Sequence, residues 1–355
     1  MKNKTSLAIY TISHMVVDFS CFYVLMGSFC RQIEEPTTIS LGFLLYNILA
    51  FGLQMFIGYY VDMRSIEHSK VALVGCLLVC AGVVIGFSPW LAILFCGVGN
   101  AVFHIGGGIN SLVYSEGKIA RGGIFVSSGA IGVALGTIAG RNGVTFWIIV
   151  LLLLGCCFAI SFYCAMDKDN VIPDFNKQNV LKPIVTNGKI IIYLCLISII
   201  VRSYVGFQVP ILWKTNTFLF ILPSICAFLG KFWGGILADY FGARNVGVLS
   251  LLVSIPLLCI FCNNIALCSI GLVMFNITMS ITLWGIASQL KNQPGFAFGL
   301  TTLALLIGNI PIYLITLPDN IIKIVLPILI LVSSICIYIS IENQKRRDDN
   351  VRTIN

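Results

Sequence analysis

The stretch Gly235-Ile236-Leu237-Ala238-Asp239-Tyr240-Phe241-Gly242-Ala243-Arg244 closes one long apolar run and opens the next. A weaker copy, Gly58-Tyr59-Tyr60-Val61-Asp62, stands at the same place after an earlier run. The two aspartates are 177 residues apart in a chain of 355, so equivalent loops lie half a chain length from each other. A duplicated helical unit produces that spacing, and each unit must then hold half of the apolar runs.

Working outward from these loops, the runs fall at roughly 7–30, 40–61, 70–87, 90–114, 122–140 and 145–165, then 189–212, 216–238, 245–262, 264–284, 293–315 and 321–341. Each is long enough to cross about 30 Å of hydrocarbon at about 1.5 Å per residue. Hydrophobic residues are 58% of the chain and charged residues 10%, too apolar a balance for a water-soluble surface. Backbone in lipid must satisfy itself, and runs without strand-like alternation do so as helices. The expected fold is therefore an all-α membrane protein of about twelve transmembrane helices in two six-helix bundles, residues 1–165 and 189–341. Segment 166–188 is read as a cytoplasmic central loop and 342–355 as a cytoplasmic tail.

With both termini inside, sixteen of the 22 Lys and Arg residues fall on the inner face and only Arg31, Arg141, Lys214 and Lys323 on the outer. That asymmetry fixes the orientation by the positive-inside rule. The formal charge of +8 is then mostly topology, and Lys345-Arg346-Arg347, directly after a span, suits an anionic lipid surface rather than nucleic acid. The run from Leu7 to Cys30 is too long for a signal-peptide core and reads as a retained span. Fourteen cysteines scattered through apolar segments, without paired metal-ligand spacing, read as reduced packing residues.

The Gly235 to Arg244 stretch resembles the signature loop of the major facilitator superfamily, Gly-x-Leu-Ala-Asp-x-x-Gly-x-Arg, and the twelve-span plan fits that family over the whole chain. The resemblance implies a gating role for Asp62, Gly235, Asp239, Gly242 and Arg244, with Lys231 close behind. In physical terms, glycine lets helices approach, and an aspartate near a helix end can cap it or pair with arginine. The first copy departs after Asp62, where Met63 to His68 lacks the second glycine. Within the superfamily, His14-Met15-Val16-Val17-Asp18, Gly99-Asn100-Ala101-Val102-Phe103-His104 and Arg202-Ser203 look like segments of the fosmidomycin-resistance branch. Ile105-Gly106-Gly107-Gly108 stands where that branch has Pro-Glu, so the substrate does not carry over. Gly132, Gly136 and Gly140 permit close helix contact along the fifth span.

Ionisable groups at membrane depth are costly and become functional candidates. Asp18 lies about 17 Å into the first span, His104 about 15 Å from the inner end of the fourth, and Arg202 about 18 Å into the seventh. His14 and Asp18 share a helical face at four-residue spacing, where imidazole and carboxylate can share a proton. A satisfied core histidine explains His14 equally well, and an interhelical hydrogen bond is the bland alternative for His104. Lys231 lies about 12 Å inside its helix end, within reach of snorkelling or pairing. Asn47, Gln54, Tyr204, Gln208, Asn276, Trp284 and Asn309 complete the expected substrate lining, with Asn100, Asn110 and Tyr46 as weaker candidates.

The expectation is a secondary active transporter working by alternating access. It is expected to be a monomer in the bacterial cytoplasmic membrane, coupled to protons through Asp18, His14 and His104. The solute is small, Arg202 favours an anion, and efflux is favoured over uptake. No phosphate-binding loop is present to hydrolyse a nucleotide, and no cofactor or metal is expected. Two rivals stay open: a non-transporting membrane sensor, and an intramembrane metal-dependent enzyme using His14, Asp18 and His104.

Overall fold

Apolar backbone that cannot reach water coils on itself, and the computed structural model, described over residues 2–164, 180–181, 184–315 and 317–344, is built of helices accordingly. Among the described residues nine are long and apolar enough to cross a membrane: α1 (Lys4–Gln32), α2 (Pro36–Arg64), α4 (Pro89–Val113), α5 (Ala120–Asn142), α7 (Gly188–Gln208), α8 (Thr217–Phe241), α10 (Ile265–Gln289), α11 (Pro294–Leu314) and α12 (Asn320–Ser340). Shorter apolar helices α3 (His68–Val84), α6 (Phe146–Phe162) and α9 (Ala243–Cys259) complete the set of twelve that the sequence leads one to expect. The one extended pairing described joins Val180–Leu181 to Asn343–Gln344, antiparallel. Most of the central loop, Lys177 included, and the basic tail from Lys345 onward lie outside the described residues.

Helix starts follow local chemistry. Proline opens α2, α4 and α11, where its missing N–H costs nothing. Asn216 and Asn264 cap α8 and α10, accepting from Leu219 N at 2.9 Å and Leu267 N at 3.1 Å. The lipid-facing surface is visible as exposed apolar side chains at helical spacing on one stripe of α6: Trp147, Leu151, Leu154, Phe158 and Phe162.

Within the first bundle, α5 lies on α1 along a glycine ladder. A Cβ at Gly132, Gly136 or Gly140 would come within 2.3 Å of Met15 O, 2.1 Å of Phe19 O or 2.7 Å of Tyr23 O, so only glycine lets the two backbones meet. The expected close-contact role of these glycines is thus realised against α1.

Two seams join the bundles, α2 against α11 and α5 against α8, and they are built alike. At the first, a Cβ on Gly58 would lie 2.2 Å from Gly295 O, and one on Gly299 would lie 2.4 Å from Met55 Cα. At the second, a Cβ on Gly235 would lie 2.7 Å from Ala120 Cα, and one on Gly123 would lie 2.7 Å from Lys231 O. The seams exchange helices between the halves: the second helix of each unit packs on the fifth of the other. Among the described residues the thirteen cysteines are free thiols.

Candidate functional site

His14 and Asp18 on α1 face Asn100 and His104 on α4, each pair one helical turn apart and so on one side of its helix. Asn100 donates Nδ2–H to Asp18 Oδ1 at 2.7 Å. His14 Nε2 lies 3.2 Å from Asp18 Oδ2 and His104 Nε2 lies 3.8 Å from Asp18 Oδ1. The two Nε2 atoms are 2.8 Å apart, the rings meeting edge-on at 86°. Both histidines are buried. On α5, Gly129 makes room: a Cβ there would stand 2.3 Å from Asp18 Oδ2 and 2.6 Å from His14 Nε2.

The far sides of the rings settle what the near sides hold. His14 Nδ1 is 2.8 Å from Phe125 O, and His104 Nδ1 is 2.9 Å from Asn100 O. A carbonyl oxygen only accepts, so both Nδ1 atoms carry protons. Two neutral imidazoles would then aim lone pairs at each other across 2.8 Å, beside a carboxylate. One shared proton on Nε2 would remove the repulsion and make the imidazolium a counterion of Asp18. The same three residues bring donor atoms within 4.8 Å of one another, as a metal site does. A tetrahedral ion with ligands at about 2.0–2.1 Å, however, spaces those ligands about 3.3 Å apart. The 2.8 Å nitrogen pair is at hydrogen-bond length and suits a proton.

Inward from the triad sits an aromatic plug. Phe125 stacks on His14 with centroids 4.8 Å apart, and Phe298, from α11 of the other bundle, packs against Phe125 at 6.0 Å. The plug rests on bare backbone of α4, because a Cβ at Gly107 would meet Phe125 at 2.6 Å and one at Gly108 would meet Phe298 at 2.6 Å. Gly107 and Gly108 follow His104 by three and four residues and therefore share its face.

The expected gating aspartates each cap a helix of the opposite bundle. Asp62 accepts from Gly295 N at 3.1 Å and Phe296 N at 2.7 Å, at the start of α11. Asp239 accepts from Ile119 N at 2.8 Å and Ala120 N at 2.9 Å, at the start of α5. Asp62 thus does the same work as Asp239 although its loop departs from the signature. Arg244 does not pair with Asp239. It donates to Ile341 O at 2.7 Å and lies 5.7 Å from the Tyr338 ring centre, tying α9 to α12. Gly242 has φ +90°, a turn that favours glycine.

The expected substrate lining is only partly gathered. Arg202 is buried and does not pair with Asp18 directly; its Nη1 donates to Thr282 Oγ1 on α10 at 3.4 Å, and its Nη2 has no partner. Lys231 sits in the α5–α8 seam, where a Cβ on Gly123 would lie 2.7 Å from its carbonyl oxygen. Asn47 donates to Tyr313 Oη at 2.8 Å across the α2–α11 seam, and Asn309 is buried on α11 one turn before Tyr313. Gln54 is sealed in that seam, donating to Ala50 O at 2.6 Å. Asn276 donates to Leu272 O of its own helix at 2.8 Å. Trp284 is buried with Nε1 unpartnered, while Tyr204 and Gln208 are half-buried without a described polar partner. Asn110 belongs to a separate inner cluster, donating to Ser6 Oγ at 3.0 Å and accepting from Arg121 Nη2 at 3.3 Å. Sequence reasoning missed Phe125, Thr282, Phe298, Tyr313 and Ser128, whose Oγ lies 3.2 Å from His14 Nδ1. The four-residue spacing of His14 and Asp18 announced one contact of Asp18; those with Asn100 and His104, on another helix, it left open.

No protein-family model matches the chain, and no curated protein matches it. Solved structures do. A variant of the E. coli fucose:proton symporter FucP has a TM-score of 0.64 at 10% identity, covering 95% of this chain and 96% of that one. FucP in the outward conformation, a major facilitator superfamily transporter, gives 0.63 at 11% identity, covering 94% and 96%. A bacterial homologue of the iron transporter ferroportin in its outward-facing state gives 0.65 at 12% identity, covering 95% and 98%. The chain has the major facilitator fold.

Proposed function

We propose that this chain is a proton-coupled secondary transporter that moves a small anionic solute by alternating access between its two six-helix bundles. The observation that carries the reading is the 2.8 Å contact between His14 Nε2 and His104 Nε2 beside Asp18, a buried pocket built to hold one proton. Arg202 supplies an unpartnered donor for the solute. The positive-inside asymmetry supports a bacterial cytoplasmic membrane location with both termini cytoplasmic. In that orientation the capped helices and the Phe125–Phe298 plug close the cytoplasmic side, so the site faces outward.

The triad couples to the plug through one hydrogen bond. While the proton is bound, His14 sits flat on Phe125 and donates to its carbonyl. When the proton leaves, two lone pairs and a carboxylate face one another at close range. The rings separate, and His14 presses on Phe125, which holds Phe298 of the other bundle. Proton loss thereby favours parting of the bundles on the inner side, and rebinding favours closure.

Proteoliposomes with an imposed pH gradient test this. Solute-dependent proton flux is expected in the wild type, and Asp18→Asn should lose gradient-driven accumulation while keeping solute exchange. Concentrative transport that survives Asp18→Asn unchanged sinks the proton role. The sign of the flux decides between the favoured efflux, in which protons and solute run in opposite directions, and uptake.

A further inference from the structure

Asp18 is the one carboxylate placed away from the helix ends among the described membrane-spanning residues, and it is already satisfied. Against it stand two cations at depth, Arg202 on α7 and Lys231 on α8. Arg202 is 5% exposed and holds Thr282 with Nη1 alone, leaving Nη2 without a partner. Lys231 is half-buried and forms no hydrogen bond or ion pair among the described residues. Helix α10 runs past both residues. It carries Thr282 for Arg202, and its Val273–Ile277 stretch receives α8 at Gly230 and Gly234, which flank Lys231. A Cβ on Gly123 of α5 would lie 2.7 Å from Lys231 O and 3.1 Å from Ser280 Cβ, two residues before Thr282 on α10, so the backbone at Lys231 lies beside the stretch that holds Arg202.

The charges do not balance without a ligand. The proton shared by His14 and His104 cancels Asp18, which leaves Arg202 and Lys231 as two uncompensated positive charges in the membrane interior. Guanidinium keeps its proton under nearly any burial, and a lone cation in hydrocarbon is costly, so the pair must meet anionic charge during the cycle. We propose that Arg202, Lys231 and Thr282 form the anion-binding half of the substrate site and that the solute is a compact dianion. The two negative charges can come as two carboxylates or as one doubly ionised oxyanion. This rests on the transporter reading and commits it to a charge.

Binding to the purified full chain in nanodiscs, read by thermal shift and titration calorimetry, tests the proposal. Succinate, inorganic phosphate at alkaline pH and sulfate are compared with the singly charged butyrate and methanesulfonate. Dianions are expected to stabilise the protein and to outbind their single-charge counterparts by about tenfold, since one charge-assisted contact is at stake. Lys231→Gln should erase that preference, Lys231→Arg should retain it, and Arg202→Gln should abolish binding of both classes. A response to succinate alone selects the dicarboxylate, and a response to phosphate or sulfate selects the oxyanion. Stabilisation by none of the dianions, equal binding of both classes, or an unchanged preference in a monodisperse Lys231→Gln protein overturns it. Proton uptake, followed with a pH dye in the same samples, depends on the triad and is expected in the wild type and lost in Asp18→Asn. Its absence from the wild type would undo the coupling reading and leave the anion test intact.

Discussion

Asp62 and Asp239 make the same contact in opposite directions: each leaves its own bundle to cap the first turn of a helix in the other, Asp62 on α11 and Asp239 on α5. A carboxylate at a helix N-terminus meets both the unpaired N–H groups and the positive end of the helix dipole. Both bonds cross between bundles, so they exist only while the inner side is closed. We propose that they act as a pair of latches.

Replacing either latch should therefore shift the conformational balance without unfolding the chain. Asp62→Asn and Asp239→Asn are each expected to weaken closure by about 1 kcal/mol, roughly fivefold in the equilibrium between states. Spin-label distances between the inner ends of α2 and α11 report it directly. An unchanged distance distribution in the double variant would deny the latch role.

Gly129→Ala should damage the triad specifically. Its methyl group would stand 2.3 Å from Asp18 Oδ2, and α5 is already pressed on α1 by the glycine ladder, so it has nowhere to retreat. Overpacking of this kind costs about 1–3 kcal/mol. Gly155→Ala on α6, where nothing lies within 4 Å, is the matched control and should be neutral in melting temperature and transport. Equal melting temperatures for the two variants would remove Gly129 from the site.

Phe298→Ala should open a leak. The ring fills the space over Gly108 and supports Phe125, and its removal leaves a void between triad and inner face. Liposomes holding this variant are expected to pass protons down a gradient without solute, several times faster than the wild type. A tight membrane would place the seal elsewhere.

Topology is checked by single cysteines in a background cleared of the native ones. Ser65→Cys, between α2 and α3, should react only with reagents that enter the cytoplasm, and Lys323→Cys should be labelled from outside. The reverse pattern would invert every assignment of inner and outer.

The sequence alone determined the twelve helices, their division into two units and the orientation expected of them. Length, hydropathy and charge asymmetry act locally along the chain, and lipid leaves a backbone no other way to bond. It also picked out Asp18, His14, His104 and Arg202, because a charge or imidazole in an apolar run announces its own cost. The tertiary structure alone decided what these groups touch. His104 meets His14 across 90 positions of chain, and Arg202 finds Thr282 rather than Asp18. Asp62 caps α11 in spite of its imperfect signature, because the cap needs a carboxylate at the seam and not the loop that follows it. Phe125 and Phe298 look like any other apolar residues in the sequence. They become a plug only where two bundles close over two adjacent glycines, since helix-to-helix contacts depend on rotation and register that hydropathy does not record.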